Sequence, residues 1–121
     1  MQGCARTEGP PLTELLRTAL SDEAWDAFSR GSAIRRAGRA GFARNVCVAM
    51  GNWLAAADDP DPVAVRWLEQ ALSDPDPLVR GHAACALGVV GSREARGALG
   101  SLLEFEDDPW VREEVGAALG W

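Results

Sequence analysis

The stretch "DPLVRGHAACALG" at 76–88 returns as "DPWVREEVGAALG" at 108–120, displaced by 32 residues. Asp76, Pro77, Val79, Arg80, Ala86, Leu87 and Gly88 fall on Asp108, Pro109, Val111, Arg112, Ala118, Leu119 and Gly120. A weaker copy, "FARNVCVAMG" at 42–51, ends in Ala49-Met50-Gly51 where the others have Ala-Leu-Gly. Between the copies a second kind of segment also repeats. "DPVAVRWLEQAL" at 61–72 aligns with "SREARGALGSLL" at 92–103, placing Leu68 on Leu99 and Leu72 on Leu103. A period of this length constrains the fold strongly, because a unit too small to bury its own apolar face must stack on its copies. The order is A1 (42–53), B1 (62–72), A2 (77–90), B2 (93–105), A3 (109–120).

Each segment reads as a helix. Asp61-Pro62, Asp76-Pro77 and Asp108-Pro109 set an N-cap acceptor before a proline at the first helical position, where its missing N–H costs nothing. Ser32 and Ser92 are further N-cap candidates. In A1, Phe42, Val46, Ala49, Met50 and Trp53 recur at helical spacing, and in A2 Val79, Ala83, Ala86, Leu87 and Val90 do the same. No strand-length alternation interrupts this pattern. The expected class is all-α: a HEAT-like α-solenoid of short antiparallel helix pairs, about two and a half repeats long. In "DPxVR" the valine is expected to pack inward, while Arg80 and Arg112 pair with Asp residues of neighbouring inter-repeat turns.

Ahead of the repeats, "LTELLRTAL" (12–20) and "SDEAWDAFSRG" (21–31) predict two short helices, the second capped by Ser21. Leu12, Leu15, Leu16, Ala19, Trp25 and Phe28 would then cover the first repeat. The chain divides into a loose tail (1–11), an N-terminal helical cap with an Arg-rich helix (12–41) and the repeats (42–121). At the other end, Trp110 and Trp121 are expected either to be exposed or to fold back as a cap.

The catalytic vocabulary is sparse. His82 is the only histidine, so a two-histidine metal site is excluded, and in "RGHAACAL" it reads as a packing residue. Cys4, Cys47 and Cys85 form no CxxC pair; Cys47 and Cys85 read as small buried residues. No phosphate-cradling or nucleophile-elbow motif is present. The acid-rich pieces "ADDPDP", "SDPDP" and "EFEDDP" recur with the helix starts, where acids cap helices, and none has the spacing of a calcium loop. No metal site is expected. No run approaches the roughly 20 apolar residues that span a bilayer, and the N-terminus lacks a signal-like apolar run, so the expectation is a cytoplasmic protein without a membrane partner.

Charge distribution is the remaining signal. The chain carries a formal −6, yet from Ala27 through Ala57 it has no Asp or Glu and five arginines: Arg30, Arg35, Arg36, Arg39 and Arg44. If 33–40 is helical, Arg35, Arg36 and Arg39 share an arc of about 100° and face outward. Three readings stay open: a phosphate-backbone contact for nucleic acid, docking to an acidic protein, or internal neutralisation of the acidic turns.

"FSRGSAIRRAGRAGFARNVCVAMGN" (28–52), followed by "DPDPLVRGHAACALG" (74–88), resembles the C-terminal part of epoxyqueuosine reductases, from the segment after the iron–sulfur region to the closing HEAT-like repeats. Those enzymes complete queuosine synthesis on tRNA, using cobalamin and two [4Fe–4S] clusters. The resemblance implies a tRNA-engaging helical domain, with Arg30, Arg35, Arg36, Arg39 and Arg44 as candidate backbone contacts. Cys4, Cys47 and Cys85 match none of that family's cluster-binding runs, and its catalytic acid and cobalamin pocket lie in parts that this sequence does not match. The chain by itself is therefore expected to bind rather than catalyse, and to hold no cofactor. It is read as a fragment, a split subunit served by a separate catalytic chain, or a descendant that kept the repeats. The rival expectation is a stand-alone scaffold for protein partners.

Overall fold

A computed structural model of the chain describes residues 11–120, the side chains of Arg36 and Ala37 excepted. The elements in order are α1 (Leu12–Ala19), α2 (Asp22–Ser29), a short 3-10 helix (Ala33–Ala37), α3 (Gly38–Ala56), α4 (Pro62–Ala71), α5 (Pro77–Val90), α6 (Arg93–Leu103) and α7 (Pro109–Leu119). No strand occurs among the described residues. Asp61, Asp76 and Asp108 cap α4, α5 and α7 with their carboxylates, each ahead of a proline, and Ser21 and Ser92 cap α2 and α6. Local chemistry therefore sets the starts of five helices.

The helices form two layers, as an α-solenoid requires. α3, α5 and α7 stack side by side in one layer, while α1, α4 and α6 form the other. Between the layers run Leu16, Val46, Met50, Leu54, Leu68, Val79, Leu87, Leu99, Val111 and Val115, all buried. Glycine controls the approach within the α3–α5–α7 layer. A Cβ on Gly51 would come to 2.9 Å from the Ala86 Cβ, and one on Gly88 to 2.6 Å from the Ala118 Cβ. The Gly of one A helix thus seats against the Ala of the next, which is why "Ala-Leu-Gly" closes the repeated sequence. α4 and α6 touch much less, leaving an open groove floored by Ala98 and Ser101.

Three expectations change. The Arg-rich segment is not a helix over 33–40. Ser32 caps a 3-10 turn that ends at Gly38, whose φ of +83° starts a new direction, and α3 then runs unbroken for 19 residues across position 41/42. Trp53 is 45 % exposed and does not belong to the A1 core stripe; Leu54 takes the buried position. Cys85 is exposed, unlike Cys47. Phe42 is half-buried at the capping end, its ring 5.1 Å from Trp25 and 5.8 Å from Phe28. The packing at α1 and α2 otherwise follows the apolar spacing, with Leu16, Ala19 and Trp25 buried and Phe28 left 40 % exposed.

Candidate interaction surface

The arginine block is distributed rather than gathered into one patch. Arg39, on the first turn of α3, points inward. Its guanidinium donates to both Asp74 carboxylate oxygens at 2.8 and 2.9 Å and to the Ala19 carbonyl at 2.7 Å. Only 16 % of its side chain is exposed, against 2 % for Asp74. Arg35 and Arg30 converge on one carboxylate, Asp26, at 2.5 and 2.6 Å, and Arg35 also donates to the Ser29 hydroxyl. That pairing holds the Asp26 carboxyl below the usual carboxylate range, with the Arg35 hydrogen bond as the largest cause. Arg44 is half-buried, and its Nε donates to the Asn45 side chain. The Arg36 side chain lies outside the described residues. Uniform outward projection is thus corrected for Arg39, because a carboxylate on a turn 35 positions away closes over it.

A similar pair recurs one repeat on, from an arginine at a different position in its helix. Arg80 donates from Nε and Nη2 to the two Glu106 oxygens at 2.8 and 2.9 Å, and from Nη1 to the carbonyls of Asp74 and Pro75. Asp74 and Glu106 are equivalent, each standing two residues ahead of a capping aspartate and accepting its N–H at 3.0 Å. Bidentate pairing by Arg80 lowers the Glu106 carboxyl pKa although burial opposes it. Two buried ion pairs therefore tie the turns ahead of α5 and α7 to arginines earlier in the chain. Sequence reading pointed to the arginines but missed Asp74 and Glu106; their shared offset of 32 was the available signal. Arg112 departs from expectation, since its Nη1 donates to the Leu103 and Glu106 carbonyls and not to an acid.

Outward from the core, the α3–α5–α7 layer presents an apolar face. Val48, Cys85, Val89 and Ala117 are exposed on successive helices, and Cys85, Val89 and Ala117 line one shallow depression with Glu114. Trp110, 37 % exposed, lies across Gly81, where a Cβ would collide with its ring. His82 lies beside it, 5.4 Å between ring centroids, with Nδ1 2.9 Å from the Leu78 carbonyl. Asn45 and Asn52 extend the uncharged surface on α3.

Residues 65–121 match the family model for HEAT repeats. The HEAT match covers α5, α6 and α7 and most of α4. Together with the two helical layers it establishes an all-α solenoid of HEAT type, a class of array that commonly mediates protein interactions. No curated protein and no solved structure matches the chain. No described helix is long and apolar enough to cross a membrane.

The described cysteines do not suit an iron–sulfur cluster. Burial pushes the Cys47 thiol up to about 12, far from the thiolate a cluster needs, and Cys85 sits exposed on a different helix. Among the described residues, no three His, Cys, Asp or Glu side chains gather as a ligand set. Cys4 lies outside the described residues.

Proposed function

We propose that the chain is a HEAT-type binding scaffold, not catalytic by itself, which holds a protein segment on the outer face of α3, α5 and α7. The observation that carries this reading is the exposure of Val48, Cys85, Val89 and Trp110 on the α3–α5–α7 layer of an acidic chain. Contiguous exposed apolar surface on a rigid, closely packed layer favours partner contact, with an aromatic anchor such as Trp110 supplying much of the affinity. The test is a peptide-display selection on the full chain, with every recovered binder measured again on Val89→Asp. Binders that weaken at least tenfold support this face. Recovery of none, or of binders indifferent to the substitution, sinks it.

A second reading, contact with a tRNA backbone by Arg30, Arg35, Arg36, Arg39 and Arg44 as in the C-terminal domain of epoxyqueuosine reductases, is favoured by one observation. The span 27–57 carries five arginines and no acid. Arg39 is committed to Asp74, so on this reading contact falls to Arg30, Arg35, Arg36 and Arg44. Clustered backbone contacts give affinity that falls steeply with salt. Filter binding of tRNA over a salt series, repeated with Arg30, Arg36 and Arg44 changed to Glu, separates the two readings: a steep slope lost in the variant supports tRNA, and an unchanged or absent signal removes it.

A further inference from the structure

Arg80 and Arg112 occupy the same place in successive repeats, yet only one of them uses its whole guanidinium. Both donate from Nη1 to two carbonyls of the preceding turn, at 2.9 and 3.0 Å for Arg80 and at 2.9 Å twice for Arg112. Those bonds fix the plane of the group. In Arg80 the opposite edge, Nε and Nη2, grips the Glu106 carboxylate. In Arg112 that edge has no partner among the described residues, and the residue is exposed.

We propose that the Nε/Nη2 edge of Arg112 is a docking point for one carboxylate of a partner protein, presented on a turn that opens a helix as Glu106 is presented to Arg80. The proposal rests on the scaffold reading and names the chemistry of its partner. A guanidinium already oriented by two hydrogen bonds loses little freedom on accepting a bidentate carboxylate, whose two oxygens match its planar fork. Leu103 and Glu106, the residues whose carbonyls hold Arg112, bracket Phe105, which is 80 % exposed. An oriented arginine held by a segment that also offers a bare aromatic ring is the pairing from which interface hot spots are built. Glu104 and Asp107 on that turn, and Glu113 beside Arg112, repel a polyanion. They favour one well-seated carboxylate over a phosphate backbone.

The probe is a synthetic peptide of residues 73–84, which carries Asp74 two positions ahead of Asp76 at a helix start. It is titrated into the full-length, isotope-labelled chain while the arginine Nε–H signals are followed by NMR. A saturable shift of the Arg112 signal is expected, absent with the same peptide bearing Asp74→Asn. Arg112→Lys keeps the charge but removes the fork, and is expected to weaken binding at least fivefold, whereas Arg93→Lys leaves it unchanged. Equal shifts from both peptides, an equal shift from sodium acetate, or no shift at Arg112 would overturn the proposal. Val89→Asp keeps the two readings apart. Peptide binding that survives it belongs to Arg112 whatever becomes of the apolar face, and binding lost with it assigns the peptide to that face instead.

Discussion

Asp74 is buried, with 2 % of its side chain exposed, and it answers both Arg39 and the Asp76 N–H. Removing one partner of such a pair leaves a desolvated charge behind, which costs roughly 3–5 kcal/mol. Asp74→Ala should therefore lower the unfolding free energy by about 3 kcal/mol in urea titration, whereas Arg30→Ala, on an exposed pair, should change it by less than about 1 kcal/mol. Glu106 adds a pH signature. Its folded-state pKa lies below the ordinary value of 4.5, so its stabilisation is complete above that value and is lost as pH falls through the lowered one. The stability gap between the native chain and Glu106→Gln should accordingly be full at pH 7 and close below about pH 4.5. Glu69 has the opposite sign. Burial, aided by Glu94, raises its pKa, so its ionised form opposes folding at neutral pH and Glu69→Gln should raise the midpoint there.

At the scale of the element, two glycines of one kind play different parts. Gly88 lies at the α5–α7 crossing, where an added Cβ meets the Ala118 Cβ and Cα at 2.6 and 2.9 Å. Its neighbour is backbone and cannot swing aside, so Gly88→Ala must push the helices apart, at about 1–3 kcal/mol. That exceeds the gain of about 0.8–1 kcal/mol from replacing a helical glycine by alanine. Gly97 on α6 has open space around it. Gly97→Ala should therefore stabilise by that last amount, and parallel thermal melts should move in opposite directions for the two variants. Helix periodicity alone treats these positions alike. The helices themselves were readable from Asp-Pro and serine caps, which act within a few residues. The Arg-rich segment was not, because the helical count over 33–40 carries no sign that Gly38 adopts a positive φ and resets the chain.

For the whole molecule, α5 is the hub: it packs against α3, α4, α6 and α7, whereas α2 packs against α1, the 3-10 turn and the start of α3 at the capping end. In an array stabilised by nearest-neighbour interfaces, opening starts at the ends. Native-state hydrogen exchange should protect the amides of α5 most and those of α2 and the 3-10 turn least; equal protection throughout would mean that the array opens as one unit.

The sequence by itself determined the class, the helix starts and the rhythm of the array, since caps, prolines and apolar spacing act between neighbours along the chain. It also marked Val79, Leu87, Leu68 and Leu99 as core, because their positions recur with the period. What only the tertiary structure decided is where the charges go. Arg39 meets Asp74 across 35 positions and Arg80 meets Glu106 across 26, distances set by how turns stack and not by any local pattern. The shift of 37 residues from the first A segment to the second sets Arg80 on Ala43 and not on Arg39, so the repeat carried no sign of the Arg39 pair. An outward-facing basic helix on paper became, once the turns were stacked, an ion pair inside the wall of the solenoid.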